Sequence, residues 1–285
     1  MKSFQCRWTW SALLLVCLLG GCVNQSVAVP PGDVGNDLPA YTPSRSDAPS
    51  SDVVTQSDEG DQAKRSRLRL ELASAYFAQG LTSTALDEVK RALAADPNSA
   101  QAYNLRGLIY ASMSEYPLAD ESFRYALQLS PSDADTRHNY GWYLCGRRRF
   151  AEAAAQFVSA LAVPQYRGQS KTWLARGICE ARAGDLVESE KSLLHSYELD
   201  ASNPATAFNL AEVLLRTGNL ERAGFYIQRV NGVPDYTNAE SLWLAIRIAH
   251  RRGDSAAVDD LGSQLRTRFP TSRQASAYEQ RQFDE

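Results

Sequence analysis

From about residue 66 onward this chain repeats itself roughly every 34 residues, and that period restricts its fold more than any other feature. A small residue stands at Ala73, Gly107, Gly141, Gly177 and Ala211, with Ile246 in the corresponding place of a last, divergent copy; the steps are 34, 34, 36, 34 and 35 residues. Twelve residues after each of the first five comes another: Ala85, Ala119, Ala153, Ser189 and Ala223. Between these marks the apolar spacing is helical. Turn signals such as Ala183-Gly184-Asp185 and Thr217-Gly218-Asn219 split each unit into two helices, A and B. Prolines at 97, 131, 164, 234 and 270 stop helix B before the next unit begins. A plain helical bundle would show the apolar period without this fixed recurrence. Small residues at a fixed register mark where two helices cross closely.

Period and unit resemble the tetratricopeptide repeat, and "AYNLRGLIYASMSEYPLADESFRYALQLSPSD" (102–133) is a nearly complete copy. The expectation is an all-α, right-handed α-solenoid of six repeats, at 66–99, 100–133, 134–169, 170–203, 204–238 and 239–272, with a short helix or tail over 273–285. The sixth unit has Ile246 and Asp259 where small residues are expected, as befits a capping repeat. In such a solenoid the A helices line a concave surface. The positions expected on it are rich in apolar residues: Leu70, Phe77, Leu108, Trp142, Leu174, Ile178, Phe208, Leu215 and Trp243. Some of these can equally pack between repeats. As a group they point to a groove for an apolar peptide or strand.

The other end of the chain has a different character. Lys2 and Arg7 precede an apolar run from Trp8 to Leu19, too short to span a bilayer and laid out like a secretory signal. It ends in Leu19-Gly20-Gly21-Cys22, which resembles a bacterial lipobox. That resemblance implies a signal peptide over 1–21 and diacylglycerol on Cys22, an anchor of several acyl chains. Val23, in place of the aspartate that favours inner-membrane retention, implies the outer membrane, with the protein facing the periplasm. Residues 22–61 hold five of the chain's prolines among Gly, Ser, Asp and Thr and read as a disordered tether.

Removal of Lys2 and Arg7 leaves 28 basic against 33 acidic residues, a net charge of 28 − 33 = −5. Neither nucleic acid nor an anionic lipid surface is therefore expected as a main partner. Cys145 and Cys179 remain as an even pair in an oxidising compartment. They are 34 residues apart, but the insertion between units three and four places them two positions apart within their repeats. Two residues turn a helix through about 200°, so the two side chains can face each other from neighbouring A helices. A disulfide stapling the third repeat to the fourth is expected, in preference to two buried free thiols.

Catalysis finds little support. His138, His195 and His250 lie in different repeats without metal-ligand spacing, and each is expected to be an ordinary buried or surface histidine. Neither a phosphate-binding Gly-rich loop nor a GxSxG elbow occurs. Asn139 and Asn209 stand where carboxylate-clamping repeats carry asparagine, but the companion lysines are missing. Arg147-Arg148-Arg149, in the turn of the third unit, reads as a solvated loop. No cofactor, metal or small-molecule substrate is expected.

"HNYGWYLCGRRRFAEAAAQF" (138–157), "WLARGICEARAGD" (173–185), "SLWLAIRIAHRRGD" (241–254) and the closing "LRTRFPTS" (265–272) resemble the PilF/PilW family, tetratricopeptide lipoproteins of type IV pilus biogenesis. What that resemblance implies is a pilotin, which binds subunits of the secretin pore and promotes their outer-membrane localisation and multimer assembly. A periplasmic scaffold for peptidoglycan hydrolases, similar to NlpI, shares anchor and fold and stays open at this level.

Overall fold

The computed structural model describes residues 60–283. The signal, Cys22 and nearly all of the tether lie outside the described residues. The described chain is helical, with six antiparallel pairs followed by one short helix. The pairs are α1 (Asp61–Ala78) with α2 (Thr82–Ala95), α3 (Ala100–Ser112) with α4 (Tyr116–Leu129), and α5 (Ala134–Gly146) with α6 (Phe150–Leu161). They continue as α7 (Gln169–Ala183) with α8 (Leu186–Leu199), α9 (Pro204–Arg216) with α10 (Leu220–Asn231), and α11 (Ala239–Arg251) with α12 (Ser255–Arg268). The short α13 (Arg273–Glu279) follows. This is a tetratricopeptide solenoid.

Local chemistry sets the boundaries. Ser99, Asp133, Asn203 and Asn238 cap the starts of α3, α5, α9 and α11 by accepting hydrogen bonds from backbone N–H groups, each contributing about 1 kcal/mol. Seven residues after each small residue of helix A, the turn into helix B takes a left-handed backbone. Glycine fills it at 80, 184, 218 and 253, but Ser114 and Arg148 fill it in the second and third repeats. A side chain in that conformation costs of order 1 kcal/mol.

The small residues work as half of a size-matched pair. Sixteen residues after Gly107, Gly141 and Gly177 stand Phe123, Phe157 and Leu193, all fully buried. A methyl group on the three glycines would meet those side chains at 2.9, 2.8 and 2.7 Å, inside contact distance. Ala73 and Ala211 are matched in the same way by Val89 and Ile227. In the sixth repeat the pair is inverted: Ile246 is fully buried and the residue sixteen further on is Gly262. Tyr278 of α13 then packs where a Gly262 side chain would be. The capping repeat therefore keeps the rule with its two members exchanged.

Curvature follows from which helices touch. Each B helix packs on the A helix of the next repeat, and each A helix also touches the next A helix (α1 on α3, through to α9 on α11). Successive B helices stand further apart and reach each other through long side chains, as where Arg222 of α10 pairs with Glu190 of α8 and Tyr226 meets Tyr197. The A helices therefore line the inner side of the bend. Five residues before the small residue, helix A presents Ala102, Thr136, Thr172, Thr206 and Ser241 to the preceding repeat, all fully buried. Leu68, at that place in the first repeat, has no predecessor and is 50% exposed.

Candidate functional site: the A-helix groove

Residues three before, one after and four after the small residue share one face of helix A, because they span two helical turns. That row runs Leu70-Ser74-Phe77, Asn104-Leu108-Ala111, His138-Trp142-Cys145, Leu174-Ile178-Ala181, Phe208-Glu212-Leu215 and Trp243-Arg247-His250. It falls on the inner side of the bend, and the clefts between successive A helices open along it.

The first cleft lies between α1 and α3. Leu70, Ser74, Asn104 and Leu108 line it with Arg67, Glu71 and Gln101, around a volume of about 640 Å³. Leu70 and Leu108 are half-buried, each packed at its base against a core cluster. Phe77 is half-buried in the first core, beside Tyr76, Leu93 and Tyr110. A second cleft, between α7 and α9, holds about 270 Å³ among Ile178, Ala181, Arg182, Asn209, Glu212 and Arg216. A third, of about 370 Å³, brings Phe208 together with Asn209, Tyr236, Asn238 and Glu240. Leu174 and Phe208 each pack one side against the core of the fourth to sixth repeats. Leu215 departs from the expectation of a groove residue. It is only 3% exposed, because α9 is buried on that side against the same core, and it belongs to the interior.

The third repeat interrupts the row. Of its three members only Trp142 is exposed, and the guanidinium of Arg182 stands 5.1 Å from its ring. Cys145 and Cys179 are joined in a disulfide, with Cα atoms 5.7 Å apart and both side chains buried. His138 is 5% exposed; its Nδ1 lies 2.9 Å from Thr172 Oγ1, and Tyr166 reaches the same Thr172 hydroxyl at 3.1 Å. Tyr166 belongs to the lengthened connection between α6 and α7, so the inserted residues help cover the groove position. Burial, reinforced by the positive charge of Lys171, pushes the His138 imidazole down to about 4. Asn139 donates to Asn104 across the A helices at 3.2 Å, and Asn209 bonds the Ala205 carbonyl of its own helix. The groove thus has two stretches, in repeats one to two and four to six, and between them only Trp142 of the third repeat is exposed on the row.

Arg147 and Arg148 are exposed, as in a solvated loop, but the run also makes contacts between repeats. Arg149 pairs with Asp120 of the preceding repeat at 2.8 Å and with Glu152 at 2.6 Å, and Arg147 lies 3.7 Å over the Tyr116 ring. Two of the three arginines therefore tie the second repeat to the third, a role that only the spatial neighbourhood reveals. Arg148 is the left-handed turn residue. His195 is exposed beside Trp173, and His250 packs on Phe283. Among the described residues no group of three or more His, Cys, Asp or Glu is placed to hold a metal. The site offers apolar clefts edged with amides and mixed charge, suited to binding a polypeptide segment.

Comparison with known proteins agrees with this geometry. The tetratricopeptide repeat family matches residues 70–134 and 141–204. The type IV pilus assembly protein PilF of Pseudomonas aeruginosa is 27% identical over 218 residues, covering 76% of this chain and 85% of its own length. The crystal structure of PilW, described as a widely conserved type IV pilus biogenesis factor, superposes with a TM-score of 0.70 at 32% identity, over 74% of this chain and 97% of that one. A Pseudomonas aeruginosa PilF structure gives 0.69 at 25% identity, over 78% and 100%. The likeness covers about three quarters of this chain and nearly the full length of the PilW structure, and the chain belongs to the PilF/PilW family of tetratricopeptide-repeat proteins.

Proposed function

We propose that this protein is a lipid-anchored adaptor of type IV pilus biogenesis. Acylated at Cys22 and held at the outer membrane facing the periplasm, it binds secretin subunits in the A-helix groove and promotes their localisation and assembly into multimers. The observation that carries the reading is the likeness to PilF and PilW, which covers nearly the full length of those structures. The repeat pattern alone would support any adaptor. Support for the anchor comes from the lipobox at 19–22 and from the Pro-rich composition of residues 22–61. Support for the mode of binding comes from the cleft between α1 and α3, where apolar Leu70 and Leu108 are flanked by the amides Gln101 and Asn104.

Binding of the purified protein to purified secretin subunits tests the reading. Ser74 and Gln101 are exposed on the cleft, so Ser74→Arg/Gln101→Arg obstructs it without touching the core. The double variant is expected to bind at least tenfold more weakly, a loss of about 1.4 kcal/mol, with its helical circular dichroism unchanged. Binding equal to that of the unaltered protein would remove the cleft from the account, and no binding by either would remove the secretin.

A further inference from the structure

The groove row ends at Trp243, Arg247 and His250, and there it is occupied. After α13 the chain turns back across α11, and Phe283 settles on the row. Its ring stacks on Trp243 at 5.9 Å between centroids, lies 4.5 Å from the His250 ring, and is met edge-on by Tyr278 at 6.1 Å. Arg247 Nε donates to the Phe283 backbone carbonyl at 3.1 Å. Three adjacent row positions thus supply two ring partners and a side-chain donor to the backbone carbonyl of one residue far along the chain. These are elements of peptide recognition, in which a hydrogen bond to the main chain fixes the segment and a pocket selects the side chain. Phe283 is itself only half-buried, and a cleft of about 650 Å³ opens beside it between His250, Val258, Arg266 and Tyr278. The segment lies over the row with open space on one side.

We propose that Trp243, Arg247 and His250 form a binding site for an aromatic residue of a peptide, and that Phe283 is a tethered occupant that such a peptide displaces. The inference rests on the groove reading above but not on the identity of the partner. A tethered copy competes at an effective concentration of order millimolar, so the site accepts only segments that outbid it or arrive already concentrated by contacts elsewhere in the groove. The composition of the site sets the chemistry of the guest: a planar, apolar side chain with a free carbonyl on its own residue.

The probe is a synthetic hexapeptide of the chain's own sequence 278–283, YEQRQF, blocked at both ends so that the phenylalanine carbonyl remains an amide. Its binding is measured by calorimetry and by the indole N–H resonance of Trp243 in the full-length protein and in Phe283→Ala. The peptide is expected to bind Phe283→Ala at least tenfold more tightly than the unaltered protein and to move the Trp243 signal back toward its original position. The same peptide with alanine in place of phenylalanine should not bind, a control independent of how any protein variant folds. Equal binding to both proteins, or none to a Phe283→Ala protein with unchanged helix content, would overturn the proposal. Loss of helix content in Phe283→Ala would also overturn it, since Phe283 would then be part of the fold. None of these outcomes bears on whether a secretin binds the first cleft.

Discussion

At the residue scale, one size match recurs along the array, a small residue on one helix of each pair seated against a large one on the other. The small residues announced the helix crossings because nothing larger fits against Phe123, Phe157 or Leu193. The sixth repeat hid the same rule, because Ile246 and Gly262 exchange large for small; only the pair, read together, shows the compensation. His138 holds a groove position by register, yet the connection carrying Tyr166 and the Thr172 hydroxyl bury it. No pattern within helix α5 announces that cover. Its consequence is measurable. The imidazole stays neutral in the fold down to about pH 4 against an ordinary value of 6.5, so between those values the unfolded chain binds the additional proton. The contribution is fully present above 6.5 and is lost as pH falls toward 4, to a total of about 3 kcal/mol. Chemical denaturation at a series of pH values should show His138→Gln losing up to one proton's worth of slope in that window. An unchanged slope would mean that His138 is solvated in the native state.

At the element scale, the helix pairs and their order follow from period, caps and prolines, and the sequence indicated them to within a few residues. The contacts between elements were harder to read. Arg149, which looked like part of a charged turn, joins Asp120 on α4, and Tyr143 donates its hydroxyl to the Tyr116 carbonyl at 3.0 Å. The same junction carries the pair Tyr140 and Asp120 at 2.8 Å. The disulfide between α5 and α7 was legible because a separation of 34 residues across a 36-residue step offsets the cysteines by two positions and turns them toward each other. Closing a loop of that length restricts the unfolded chain by roughly 3–4 kcal/mol in the chain-entropy model. Reduction, or Cys145→Ala/Cys179→Ala, should therefore lower the melting temperature by several degrees while leaving the helical signal intact. Melting that is indifferent to reductant would show that the neighbouring contacts alone hold the third and fourth repeats together.

At the scale of the whole molecule, the proposed function joins an anchor to a groove. Among the described residues no helix is long and apolar enough to cross a membrane, and the proposed attachment is through Cys22. Fractionated membranes are expected to show Cys22→Ala absent from the outer membrane, and its presence there in normal amount would contradict the lipobox reading. The groove's division into two stretches was not legible, since His138 and Cys145 look like groove positions until their neighbours are known. The central claim is that the first cleft promotes secretin assembly. Its most direct measurement is the amount of secretin multimer, resolved from monomer on denaturing gels, in the outer membranes of cells lacking this gene. The unaltered gene should restore the multimer, and the Ser74→Arg/Gln101→Arg variant, present at equal level and equally localised, should leave most of the secretin monomeric. Full multimer in cells without the gene, or full restoration by the variant, would contradict the account.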